Sequence, residues 1–182
     1  SKSMDSFIRV PEAERPKLGD LPEGTRFVVA KAAAKSAISK LDPRTRFNIV
    51  FFSTRVRPWK DTLVVAGGMK EQALSAIDGA ALEDETNIYG ALRAALGLHE
   101  RPTLAADLDP IPDTIYFMTD GTPTRGEITD TETILSWVRD VNRFAKVELH
   151  VIAMGNTGVD LDFLRRLATE NGGEFVHVPD SK

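Results

Sequence analysis

The sequence predicts an α/β fold, in which helices cover both faces of a doubly wound, mostly parallel sheet that has one antiparallel edge strand. The first observation is the alternation of helix and strand patterns along the chain, which is typical of parallel sheets. The second is that residues 46–53 (RFNIVFFS) and 114–119 (TIYFMT) are apolar on both faces, as strands between two layers of helices are. The third is a length of 182 residues with 42% hydrophobic side chains, which suits one domain with a single core.

The first half of the chain is assigned from local patterns. Residues 1–24 hold three prolines and mixed charge, which indicates a long loop. Apolar residues at spacings of three and four from Phe27 to Leu41 predict the first helix, which stops at Asp42-Pro43. After strand 46–53, a second strand at 59–66 is expected at an edge of the sheet, because Pro58 precedes it and charges flank it.

The second half of the chain is assigned in the same way. Thr86 is the expected N-cap of a helix, since a cap needs a side-chain oxygen for free backbone N–H groups. Three prolines indicate a loop at 99–113, and Asn171-Gly172-Gly173 closes the last helix. The remaining predicted elements are helices at 70–80, 87–98, 131–144 and 161–170 and strands at 147–154 and 175–178.

Composition excludes several classes of protein. The absence of cysteine excludes disulfides, thiolate metal sites and thiol nucleophiles. A net charge of −4, spread along the sequence, offers no basic surface for nucleic acid. The longest stretch without a charged residue is 149–159, which is too short against the ~20 residues that cross a bilayer. We therefore expect a soluble chain without membrane insertion. No targeting signal is visible, which leaves the compartment unassigned.

Polar residues follow or precede the predicted elements at points where a ligand site is expected. In open parallel sheets the binding crevice lies beyond the carboxyl ends of the strands. Asp120-Gly121 follows strand 114–119, Thr86 precedes a helix, and Ser1 and Ser3 stand at the start of the sequence. Taken singly, these are a turn, a helix cap and polar residues of a terminus. Taken together, their hydroxyl and carboxylate oxygens are hard donors that suit Mg²⁺.

The order of these motifs resembles the von Willebrand factor type A domain. The motifs are Ser-x-Ser-Met at 1–4, Thr-Asn-x-x-x-Ala-Leu at 86–92, an apolar strand ending in Thr-Asp-Gly at 119–121, and a closing segment at 164–175. The resemblance implies a Rossmann-like fold and a metal-ion-dependent adhesion site. Its ligands, directly or through water, would be Ser1, Ser3, Thr86 and Asp120, and its ion Mg²⁺, Mn²⁺ or Ca²⁺. The implied function is non-catalytic: the ion binds a Glu or Asp carboxylate of a protein partner.

The sequence departs from the family in two places. The family aspartate two residues before the first serine, with its central strand, would lie upstream of Ser1. We therefore expect residues 1–182 to form one domain that is N-terminally incomplete and part of a larger chain. Residues 5–24 form an insertion where the family has a short link. This insertion would either shape partner choice or be a passive surface loop.

Two other functions compete with this interpretation. One is a structural α/β scaffold within a larger protein, whose metal site is vestigial. The other is a phosphatase of the haloacid dehalogenase type, because Asp120-Gly121-Thr122 copies the second half of an Asp-x-Asp-Gly-Thr signature. The nucleophilic aspartate of that signature would stand at position 118, which is Met118, so covalent phosphoryl transfer has no nucleophile. His150 and His177 lie on predicted strands and are expected to be hydrogen-bonded structural residues.

Overall fold

The computed structural model of the protein describes residues 7–8, 22–81, 85–96 and 112–180. Its helices are α1 (Arg26–Lys40), α2 (Lys70–Asp78), α3 (Ile88–Ala95), α4 (Thr131–Ala145) and α5 (Leu161–Thr169). Its strands are β1 (Phe7–Ile8), β2 (Gly24–Thr25), β3 (Arg46–Phe47), β4 (Val50–Phe52), β5 (Val56–Pro58), β6 (Val64–Val65), β7 (Thr114–Thr119), β8 (Glu148–Met154) and β9 (Phe175–Val178).

A parallel sheet in the order β7-β8-β9 carries helices on both faces, which confirms the predicted α/β class. Successive side chains of β8 point to opposite faces, as the pleat of a strand requires. Val151 packs into the large cluster that contains the apolar faces of α3, α4 and α5. Ile152 packs on the other face against Val29 of α1. Both faces of β8 are therefore buried over its second half, which explains the continuous apolar run from Val151 to Met154.

The predicted strand at 46–53 is interrupted in the structure. The Asn48 side chain accepts hydrogen bonds from the backbone N–H of Ile49 (2.8 Å) and of Lys60 (3.1 Å), and it donates to the Lys60 carbonyl (2.7 Å). These bonds separate β3 from β4 in the chain. Each part pairs with its own antiparallel partner, β3 with β6 and β4 with β5.

The predicted edge strand at 59–66 is wrong in its bounds. Strand β5 ends at Pro58, directly before the predicted segment, and β6 covers only Val64–Val65 near its end. Pro58 is inside β5, opposite Val50, where its missing N–H is tolerated at a sheet edge. The Trp59 N–H donates to the Ile49 carbonyl at 2.7 Å, which continues the register of β4 and β5 by one more residue pair.

In the described residues, β4 and β7 belong to different sheets and are not hydrogen-bonded to each other. Their aromatic side chains meet, since the rings of Phe52 and Phe117 stack with centroids 5.0 Å apart. A strand between them, supplied from upstream of Ser1, stays a prediction.

The ends of the predicted insertion lie side by side. Phe7 pairs with Thr25 and Ile8 with Gly24 in an antiparallel arrangement that the sequence patterns did not predict. The rest of residues 5–24 lies almost wholly outside the described part of the chain. Among the described residues, none of the helices is long and apolar enough to cross a membrane.

Candidate metal centre

Thr86 lies beside the Asp120-Gly121 turn at the carboxyl end of the parallel sheet. Asp120 directly follows the last residue of β7, and Thr86 stands two residues before α3. A Cβ atom placed on Gly121 would lie 3.2 Å from the Thr86 Oγ1. Both residues are buried, with exposed fractions of 3% for Asp120 and 8% for Thr86. Of the four predicted ligands, the structure brings together these two. Ser1 and Ser3 lie outside the described residues.

The loop after β7 holds Thr86 in place through its backbone. The Thr86 N–H donates to the Thr124 Oγ1 at 3.0 Å, and the Thr86 carbonyl accepts from the N–H groups of Thr124 (3.0 Å) and Arg125 (3.2 Å). The Gly121 N–H donates to the Thr119 Oγ1 at 3.3 Å, which fixes the turn that carries Asp120. The two predicted ligands are therefore positioned by protein contacts.

The prediction that Thr86 caps α3 is wrong. The cap is Asn87, whose Oδ1 accepts the Gly90 N–H at 2.8 Å. Both residues have a capping oxygen, so the sequence alone offered two adjacent candidates, of which asparagine is the more favoured type. Because Asn87 supplies the cap, the Thr86 hydroxyl is left facing Gly121 instead.

Arg26 is the residue of this region that the sequence patterns missed. It is the first residue of α1 and is fully buried. Its Nη1 lies 3.6 Å from the Asp120 Oδ2. Its Nε and Nη2 donate to the Asp180 Oδ1 at 2.9 and 2.7 Å, and Nη2 also reaches Oδ2 at 2.6 Å. The one signal in the sequence was a cation in the first turn of a helix, where the helix dipole favours anions.

The Arg26 guanidinium lies across the ends of all three parallel strands. Asp120 follows β7, Gly155 follows β8, and Asp180 lies two residues beyond β9. Gly155 has a φ of +90°, and a Cβ atom there would lie 1.9 Å from the Arg26 Cζ. This position therefore requires glycine for both its conformation and its close approach to the arginine.

Asp180 is held in its charged form. Partial burial pushes its pKa up, but hydrogen bonds from Arg26 and from the Asn156 N–H, with the charges of Arg26 and His177, outweigh that effect. The pKa of Asp180 therefore lies below its usual value. The Arg26–Asp180 pair is accordingly a salt bridge at neutral pH.

The oxygens of Thr86 and Asp120 fit a hard divalent ion as part of a ligand set. A hydroxyl and a carboxylate are the donors that Mg²⁺ and Ca²⁺ prefer, and one carboxylate leaves such an ion under-neutralised. Among the described residues, no group of three or more His, Cys, Asp and Glu side chains is placed to hold a metal. Thr86 and Asp120 alone therefore do not complete a ligand set for such an ion.

The structure also tests the competing roles suggested for other residues. Met118 packs against the apolar cluster beneath α1, so the position of a phosphatase nucleophile carries a core side chain. The His150 Nδ1 accepts the Glu174 N–H at 3.1 Å, and the His177 Nε2 lies 2.9 Å from the Gly155 carbonyl oxygen. Both histidines are hydrogen-bonded structural residues, as predicted.

Comparison with known sequences identifies relatives over most of the chain. The family profile described as von Willebrand factor type A domain matches residues 18–176. The inter-alpha-trypsin inhibitor heavy chain H1 of Homo sapiens is 31% identical over 157 residues, which are 85% of this chain and 17% of that protein. Heavy chain H6 of Homo sapiens is 33% identical over 161 residues, covering 82% of this chain and 12% of that protein. The chain thus spans less than a fifth of the length of these relatives.

Solved structures share the fold at low sequence identity. The protein BatB from Bacteroides thetaiotaomicron has a TM-score of 0.63 at 13% identity and covers all of this chain and 87% of its own. The SpRpn10 VWA domain has a TM-score of 0.60 at 12% identity, covering 88% and 79% of the two chains. Proximal thread matrix protein 1 from the mussel byssus, with a zinc-occupied MIDAS motif, has a TM-score of 0.55 at 20% identity, covering 81% and 35%. With this fold and the profile match over 18–176, the chain belongs to the von Willebrand factor type A domain family.

Proposed function

We propose that this domain is a protein-interaction module that binds its partner through a divalent metal ion. Thr86 and Asp120, together with Ser1 and Ser3, would hold Mg²⁺, or Mn²⁺ or Ca²⁺, and the ion would bind a Glu or Asp carboxylate of the partner. The observation that carries the proposal is the adjacency of the Thr86 hydroxyl to the turn that carries Asp120, at the buried carboxyl end of β7.

The charge of this ligand set favours an acidic partner. Three hydroxyls and one carboxylate leave a divalent ion with a net positive charge. The buried guanidinium of Arg26, 3.6 Å from Asp120, adds further positive charge. At such a centre a carboxylate in an open coordination position gains more than a neutral amide of the same shape, because the attraction acts at short range in a partly buried site.

One relative supports the choice of a divalent ion. Proximal thread matrix protein 1, which shares the fold, is described with zinc in its MIDAS motif. A second candidate function, a structural scaffold with a vestigial site, is favoured by a different observation. The guanidinium of Arg26 already places one positive charge beside Asp120.

An experiment with simple probes separates the two candidates. Mn²⁺ bound at an open site enhances the relaxation of water protons, and a ligand that displaces water lowers the enhancement. The protein, with whatever sequence naturally precedes Ser1, is titrated with Mn²⁺ and then with N-acetylglutamate α-amide or N-acetylglutamine α-amide. We expect the carboxylate compound alone to lower the enhancement, and Asp120→Asn to abolish Mn²⁺ binding.

The matched control is Asp113→Asn. Asp113 is an exposed aspartate just before β7, at the opposite end of the same strand. Its substitution removes the same charge, and the Asp113 carbonyl that accepts the Glu148 N–H is retained. Mn²⁺ binding that is equal in both variants would contradict the proposed site. Bound Mn²⁺ that responds equally to the glutamate and glutamine compounds would contradict the carboxylate preference.

A further inference from the structure

The proposed function leaves one buried residue unexplained, the cation Arg26. A fully buried charge is costly unless it is paired, and the N-terminus of a helix is unfavourable for a cation. The first turn of α1 contains no acidic residue to offset this. The compensation must therefore come from elsewhere in the fold, which is where Asp180 and Asp120 approach.

The guanidinium is shared unequally between these two carboxylates. Nε and Nη2 are hydrogen-bonded to Asp180. Nη1 is buried and has no hydrogen-bond partner among the residues that the structure describes, and its 3.6 Å separation from the Asp120 Oδ2 is too long for a hydrogen bond. A buried donor without a partner is destabilising. The Nη1 group thus interacts with Asp120 through charge and donates no hydrogen bond to it.

The position of the guanidinium is fixed by its surroundings. Gly155 closes one side, since even a methyl group there would overlap Nη2, Nε and Cζ. Asp180 is itself anchored, because its Oδ2 also accepts the Asn156 N–H at 2.9 Å. Arg26 is therefore held with its Nη1 3.6 Å from the Asp120 Oδ2, and it does not move close enough to form a hydrogen bond.

We infer that Arg26 is the built-in counter-ion of Asp120, and that it sets the affinity of the site for divalent metal by competing with the ion for that carboxylate. This inference rests on the proposed metal site. Arg26 acts as a positioning residue, because it works through Asp120. Asp180 limits the competition by binding the Nε and Nη2 side of the guanidinium.

The inference predicts opposite effects for two substitutions. Arg26→Met removes the competing charge, so Mg²⁺ should bind about tenfold more tightly, since like charges at short range repel strongly in a partly buried site. Asp180→Asn removes the negative charge that binds the Nε and Nη2 side of the guanidinium. Arg26 then interacts more strongly with Asp120, so Mg²⁺ should bind several-fold more weakly. A general loss of stability would weaken binding in both variants, which is why the opposite signs are informative.

Calorimetric titration with Mg²⁺ measures both variants, again on the protein with any sequence that naturally precedes Ser1. Lys35→Met is the control, because it removes one positive charge from the same helix at an exposed pair with Asp78. Its Mg²⁺ affinity should stay at the wild-type value. Equal affinities of the wild type, Arg26→Met and Asp180→Asn would overturn the inference and leave the metal site itself intact.

A second measurement needs no metal and covers the case in which Arg26→Met does not fold. In EDTA, Asp120→Asn should lower the melting temperature of the wild type more than that of Arg26→Gln, because glutamine keeps polar donors but removes the charge that interacts with Asp120. Additive shifts in melting temperature would contradict a counter-ion role. A wild-type protein that binds no Mg²⁺ but shows this coupling would refute the proposed function, whereas the pairing of Arg26 with Asp120 would stand.

Discussion

Gly155 and Arg26 are in direct contact, and the backbone of the glycine forms one wall of the space that holds the guanidinium. The φ of Gly155 is +90°, and its missing Cβ would lie 1.9 Å from the Arg26 Cζ. The buried cation and the glycine beyond β8 therefore depend on each other. Neither feature is explained by its own segment of sequence.

Gly155→Ala should destabilise the fold by about 3 kcal/mol, because it adds left-handed backbone strain to a steric overlap with a pinned side chain. Gly158→Ala is the matched control. Gly158 also has a positive φ of +72°, but no atom of the described part of the chain lies within 4 Å of the Cβ it would gain. That variant should lose only about 1 kcal/mol. Urea unfolding of both variants measures the difference, and equal losses would show that the contact with Arg26 is relaxed at little cost.

Adjacent substitutions at 86 and 87 should separate folding from metal binding. Asn87→Ala removes the cap of α3 and should cost about 1 kcal/mol of stability with little effect on Mg²⁺ affinity. Thr86→Val keeps the shape but removes the hydroxyl, so it should weaken Mg²⁺ binding and leave α3 capped. Thermal unfolding and calorimetric titration of the pair give both values. If Thr86→Val leaves the Mg²⁺ affinity unchanged, Thr86 is not a ligand.

Asp180 should make stability depend on pH in the acidic range. Its pKa in the folded state lies below its ordinary value, so its contribution is fully present above the unfolded pKa of about 3.9 and is lost as the pH falls through the folded value. The groups that interact with it are Arg26, His177 and the Asn156 N–H. The difference in unfolding free energy between the wild type and Asp180→Asn should therefore shrink only below about pH 4. A difference that is constant down to pH 2 would contradict the lowered pKa.

Local sequence patterns predicted the parallel sheet well. The predicted bounds of β7 and β9 match the structure, because each is an apolar run between turn signals. The helices α1, α4 and α5 lie within one residue of their predicted ends. The antiparallel strands were predicted poorly, because Asn48 ends β3 through bonds to Lys60, which is distant in sequence.

The candidate site was predictable only in part, for a similar reason. Thr86 and the Asp120 turn both lie at the carboxyl end of the sheet, where ligand residues of parallel sheets are expected, and their role as metal ligands stays a prediction. The buried position of Arg26 could not be predicted from its own segment, because its partner Asp180 lies 154 residues away. The choice between Thr86 and Asn87 as helix cap also depended on the loop at Thr124, which fixes the Thr86 backbone.

The most direct test of the proposed metal centre is the Mg²⁺ affinity of Asp120→Asn beside that of Asp113→Asn, measured by titration calorimetry on the protein with any sequence that naturally precedes Ser1. Both variants lose one negative charge from residues flanking the same strand, β7. If Asp120 holds the ion, Asp113→Asn binds Mg²⁺ like the wild type and Asp120→Asn does not bind it. Equal binding by the two variants would place the ion elsewhere and contradict the metal centre at Asp120.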